Sequence, residues 1–294
     1  MVRRETSPME LSLAQTILLP AIVAVMLLLL PRGPWCLQRT PAQIAPWSAG
    51  WALPIAVALS FFLIEGASAF ALEQRWHGLW LTAAVFAVAA TPAAFPLQMP
   101  RNSPMLLAAA AAVALLMLLL PSLDSWGTRL LLVVGGALFA GRFAAVANRI
   151  PRASTLVIAT SMASMTAALL AAGSLKAGLI AASLSLTLVA ALFAALRVST
   201  LLLGGAFAAS GVVVLASLAW YGAAYHGRGE IHRAAWAAIA CSGVLLCGAP
   251  LNNLRMSDRQ RPSKSVIVGT IASCAVSMAS AIYALAVRAL ASAN

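Results

Sequence analysis

The sequence predicts an all-α fold: a polytopic integral membrane helical bundle with ten hydrophobic segments, giving nine or ten transmembrane helices in a single domain over residues 1–294. Three observations carry that expectation. Hydrophobic residues fill 62% of the 294 positions and charged residues 9%, with a mean hydropathy of +0.95; a soluble domain carries roughly 25% charge. The apolar residues run continuously, as from Met105 to Leu120, instead of alternating over about ten positions as barrel strands do. The charges collect in short gaps between the runs, none long enough for a separate soluble domain.

A helical span needs about 20 mainly apolar residues. The first run, roughly 11–31, follows Arg3 and Arg4 and has no small-residue cleavage site after it, so it reads as a retained helix rather than a signal peptide. The second, roughly 51–72, carries Glu65. The third, roughly 79–99, is the weakest, because Pro92, Pro96 and Pro100 each remove a backbone donor and crowd the preceding turn. It reads as kinked at its end, with a broken or re-entrant segment as the alternative. Runs at roughly 104–121 and 129–148 complete the first half, the latter with the Gly-rich stretch Gly135 to Gly141, which lets a neighbouring helix approach closely. The second half has runs at roughly 154–173, 177–196, 200–222, 235–254 and 266–288.

Three connections share a Pro-x-x-Ser pattern, at Pro100–Ser103, Pro151–Ser154 and Pro262–Ser265. Proline interrupts the previous helix and serine is placed to cap the next. The eight tryptophans lie at or near expected helix ends, as interfacial anchors do.

The net charge of +12 comes from 19 bases against seven acids. In this setting it marks helix flanks facing anionic headgroups, with the lipid bilayer as partner and no nucleic acid. Ten bases fall in the odd-numbered connections and eight in the even ones with the termini, which weakly favours cytoplasmic odd connections. Arginine, alanine and leucine usage suggests a bacterial protein of the inner membrane. Cys36, Cys241, Cys247 and Cys274 form no C-x-x-C pair, so neither a disulfide framework nor a zinc site is expected.

Glu65 is the sharpest candidate, since a carboxylate inside an apolar segment must be paired, solvated or protonated. Arg142, in the fifth segment, is the expected partner. In the tenth segment Thr270, Ser273, Ser277 and Ser280 recur at helical spacing and continue to Tyr283, one polar stripe pointing at protein. Small hydroxyl residues more often pack helices than line a path. His226, Glu230 and His232 resemble metal ligands only superficially, with Arg228 and Arg233 beside them to repel a cation. No P-loop, G-x-S-x-G, H-E-x-x-H or G-x-G-x-x-G is present, and no cofactor, catalytic residue or metal is expected.

Two functions fit these residues: a small-molecule permease or exporter, and a non-catalytic subunit or assembly factor of a larger membrane complex, with a membrane-protein partner or homo-oligomer. A lipid-directed enzyme is less favoured. A water-accessible cavity reaching Glu65 points to transport. A filled bundle with an exposed small-residue groove points to a subunit.

Overall fold

Proline, glycine and helix length decide where these apolar runs begin and end. A computed structural model describes residues 13–29, 49–66, 68, 77–94, 103–119, 125–197, 203–226, 231–248 and 264–293, and among them there is no strand. The helices are α1 (Leu13–Leu29), α2 (Ala49–Glu65), α3 (Gly78–Ala94), α4 (Ser103–Leu119), α5 (Trp126–Ala147), α6 (Pro151–Ala171), α7 (Leu175–Arg197), α8 (Gly205–Tyr225), α9 (Arg233–Cys241), α10 (Val244–Cys247) and α11 (Lys264–Ala293). Each expected segment coincides with a helix, and the ninth divides into α9 and α10. Five of them, α5, α6, α7, α8 and α11, are long and apolar enough to cross a membrane. The 17 described residues of each of α1 to α4 make about 26 Å at 1.5 Å per residue, slightly under a hydrocarbon core of about 30 Å.

Several boundaries differ from expectation for physical reasons. α2 stops at Glu65 and not near 72, because Gly66 takes φ +68° and the Ser68 hydroxyl donates to the Glu65 carbonyl at 2.7 Å. α3 stays helical through Pro92, while Pro96 and Pro100 lie outside the described residues. Pro151 opens α6 at its first position, where a missing N–H costs nothing. Ser154 is therefore not the cap: it sits one turn inside α6, fully buried, with no hydrogen-bond partner for its hydroxyl. The ninth segment breaks at Ser242–Gly243, ahead of the Gly248-Ala-Pro250 signal, of which Ala249 and Pro250 lie outside the described residues.

α8 is the axis of the bundle. It packs against α2, α3, α4, α5, α6 and α9. Around it α1 to α5 lie side by side in chain order, and α10, α11, α6 and α7 complete the circuit back to α1. α8 runs antiparallel to α5, and α3 to α4. The start of α8 meets the end of α5, where the Gly205 N–H donates to Asn148 Oδ1 at 2.6 Å, and Gly78 at the start of α3 faces Leu118 at the end of α4. The Gly-rich stretch of α5 does bring a neighbour close: a Cβ on Gly141 would lie 2.7 Å from Ala108 Cβ and 2.8 Å from the Pro104 carbonyl of α4. Phe61, Phe86, Phe143, Phe207, Met162, Met165 and Trp236 fill the interior. Of the anchoring tryptophans, Trp126 is exposed at the start of α5, but Trp236 is buried against Gly222 of α8.

The α6–α7 turn is the tightest. Gly173 takes φ +82°, Ser174 N–H donates to the Leu169 carbonyl at 2.9 Å, and Gly173 N–H to that of Leu170 at 3.0 Å. This paired closure needs a left-handed residue. Gly173→Ala is expected to cost about 1 kcal/mol, read as a lowered thermal midpoint of the detergent-solubilised protein; an unchanged midpoint would contradict the turn geometry.

Candidate functional site

Glu65 closes α2 and Lys176 lies in the first turn of α7. Lys176 Nζ stands 2.7 Å from Glu65 Oε1, with the glutamate side chain 8% exposed and the lysine side chain 61% exposed. The contact is an ion pair without hydrogen-bond alignment, since Oε1 has no hydrogen-bond partner. Each charge sits at the unfavourable end of its helix: an anion at the C-terminus of α2 and a cation at the N-terminus of α7. Pairing them offsets both penalties.

The expected Glu65–Arg142 pair does not form. α2 packs against α1, α3, α7 and α8, so its last residue meets α7. On α5 it is Gly141 that faces α4, and the next residue, Arg142, turns outward and is exposed. Lys176 went unnoticed because it reads as an ordinary connection charge. The signal that finds it is a Glu ending one apolar run and a Lys beginning another, each opposed by its own helix dipole.

Farther along the α2–α7 interface, the buried Ser60 and Ser183 hydroxyls meet at 2.8 Å. Ser60 donates to the Ala56 carbonyl at 2.7 Å, so Ser183 supplies the proton between them. Thr187 donates to the Ser183 carbonyl at 2.8 Å.

The α11 stripe lies elsewhere, against α6, α9 and α10. Ser273 and Ser277 are fully buried, with no hydrogen-bond partner for either hydroxyl among the described residues. Thr270 donates to the Val266 carbonyl at 2.7 Å and Ser280 to that of Val276 at 3.0 Å. Across this interface Cys274 Sγ is 3.6 Å from Thr160 Oγ1 of α6, and beside it Ser161 of α6 meets Ser242, between α9 and α10, at 2.7 Å. Thus Glu65, Arg142 and the stripe occupy three separate places.

His226 caps the end of α8 and His232 the start of α9, its Nδ1 accepting from the Ala234 N–H at 3.2 Å. Glu230 lies outside the described residues, among which no group of three His, Cys, Asp or Glu could hold a metal ion. Burial lowers the pKa of His226 below its ordinary 6.5. The unfolded chain therefore takes up this proton first as pH falls, so stability is full above about pH 6.5 and declines as pH drops through the window below it. A thermal midpoint that falls between pH 7.5 and 5.5, and falls less in His226→Gln, is expected; identical profiles would contradict it.

An open groove of about 440 Å³ lies between α9 and α11, lined by His232, Ala234, Ala235, Ala279, Ser280 and Tyr283. Among the described residues, every Asp, Glu, Lys and Arg lies at a helix end, a rim or, for Arg142, an outward face. The interior carries hydroxyls, and those of Ser60, Thr82, Thr155, Ser161, Thr187 and Ser217 donate to the carbonyl four residues earlier. Such bonds tie a hydroxyl to its own helix.

No family model, curated protein or solved structure matches this chain.

Proposed function

We propose that the chain is a multi-pass integral membrane protein, with all ten apolar segments crossing the bilayer, and that it serves as a non-catalytic subunit or assembly factor of a larger membrane complex. The observation that carries this reading is the filled interior: α8 occupies the axis, its neighbours close on it through small residues, and the charges stay at the rims. Ionisable groups that bind, couple or catalyse inside a membrane face the bundle interior or a cavity. Packing of α3 against both α2 and α4, antiparallel to α4, supports ten crossings over nine. The basic odd connections then face the cytoplasm, in a bacterial inner membrane.

A permease or exporter of small polar solutes is the second reading. It is favoured by the Glu65–Lys176 pair at the mouth of the α2–α7 interface, with the Ser60–Ser183 hydroxyls farther along it. Opening that interface breaks one half-exposed ion pair and one buried hydroxyl contact.

Extraction of the tagged protein from native membranes in mild detergent, followed by sizing and mass spectrometry, separates the two. A partner at fixed stoichiometry is the expected result. A clean monomer or homodimer whose reconstituted solute flux is lost in Glu65→Gln would establish the permease instead.

A further inference from the structure

The Glu65–Lys176 contact is lopsided. The glutamate side chain is 8% exposed and the lysine side chain 61%, so the anion is enclosed and the cation reaches it from outside. Glu65 ends α2, where the helix dipole adds negative potential to that of the carboxylate. Its buried Oε1 has no hydrogen-bond partner, so the charge of the Lys176 ammonium 2.7 Å away is what balances it. The ammonium is the looser half of the pair. It stands at the positive end of α7 and holds a long, exposed side chain in one arrangement, which costs entropy. A free cation on the same oxygen keeps the attraction of the carboxylate and of the α2 terminus without that ordering. Glu65 is the one acid among the described residues. The Ser60 and Ser183 hydroxyls, the next polar side chains inward along α2 and α7, lie one to two turns deeper.

We infer that the Glu65 carboxylate at the end of α2 is an exchangeable site for a monovalent alkali cation, with the Lys176 ammonium as its tethered resident. With the lysine in place the carboxylate is balanced from within the chain. When that side chain swings out into solvent, a sodium or potassium ion takes its position on the carboxylate. A divalent ion takes about six to eight oxygen ligands, whereas this single carboxylate balances one charge, so the class of ion is monovalent. The carboxylate oxygen is a hard ligand, as such an ion requires. Binding alone is inferred, and it stands whether the chain is a subunit or a permease.

Lys176 and Lys264 are the only lysines of the chain, and both are exposed. Mass spectrometry therefore follows acylation of Lys176 by an amine-reactive ester, with Lys264 as internal reference. The test treats the full wild-type chain in mild detergent with sodium, potassium or tetramethylammonium chloride at one ionic strength, the last cation being too bulky for an enclosed carboxylate. In about 300 mM alkali ion, well above the mM-scale effective concentration of a flexible tether, the Lys176 rate relative to Lys264 should rise by about twofold or more. Tetramethylammonium should leave it unchanged. Glu65→Gln should give a fast Lys176 rate in every salt. Lys176→Met leaves the carboxylate to free ions, so its thermal midpoint should gain about 2–4 °C once the alkali ion reaches about five times its Kd, and nothing from tetramethylammonium. A wild-type Lys176 rate that is the same in all three salts overturns the inference and makes the pair a fixed clamp. So does a Lys176→Met midpoint that follows ionic strength whatever the cation, or an alkali acceleration that persists in Glu65→Gln. The wild-type arm needs no variant to fold, and no arm measures flux, so a failure here is distinct from a failure of either functional reading.

Discussion

Gly141→Leu is expected to abolish folded, monodisperse protein. Even the first added carbon would lie 2.7 Å from Ala108 Cβ and 2.8 Å from the Pro104 carbonyl, and a backbone oxygen cannot rotate away as a side-chain end can. Overpacking of this kind costs about 1–3 kcal/mol for small additions, and an isobutyl group exceeds that range, against a total stability of roughly 5–15 kcal/mol. The same helix supplies its control. A Cβ on Gly135 meets nothing within 4 Å, so Gly135→Ala should keep the wild-type thermal midpoint or raise it, by up to about 1 kcal/mol of helix propensity. Size-exclusion profiles and melting curves of the two variants check this. Equal behaviour would contradict the α4–α5 approach.

Lys176→Met is expected to destabilise the protein by about 1–2 kcal/mol, between the values typical of exposed and buried pairs, because the lysine side chain is 61% exposed. It leaves the Glu65 carboxylate enclosed at the negative end of α2 with no cation. Glu65→Gln removes that charge, so the double variant should recover most of the loss. Arg142→Ala should be close to neutral, since Arg142 is exposed and apart from Glu65. A double-mutant cycle on thermal midpoints reads all of these. Coupling of Glu65 to Arg142 and not to Lys176 would contradict the observed pairing.

These two regions show what the sequence can and cannot convey. Continuous apolar runs located every helix, because the requirement for a helical span acts through composition. Close approach at Gly141 was legible for the same reason, since glycine in an Ala-rich helix leaves room for a neighbour. Of the α11 stripe, Ser273 and Ser277 are fully buried, whereas Thr270 and Ser280 are only partly covered and Tyr283 is exposed, so the protein-facing side holds for the middle of the stripe alone. Partner identity was not legible. Glu65 and Lys176 are 111 positions apart, and only the ring order that sets α2 against α7 brings them together. Helix ends were equally hidden, because the halt at Glu65 depends on one positive φ at Gly66 and one Ser68 hydroxyl. The break at Ser242–Gly243 answers to a tertiary contact: a Cβ on Gly243 would lie 2.7 Å from the Phe143 ring.

The most direct test of a filled interior is cysteine accessibility in intact membranes, in a background where Cys36, Cys241, Cys247 and Cys274 are replaced. Arg152→Cys and Arg233→Cys, exposed at opposite rims, should react rapidly with a membrane-impermeant maleimide, each from its own side. Ser210→Cys and Ser217→Cys, on the buried axis helix α8, should remain unlabelled from both sides. Labelling at Ser210 or Ser217 at rates near those of the rim positions would contradict the closed bundle, and would place a water path along α8.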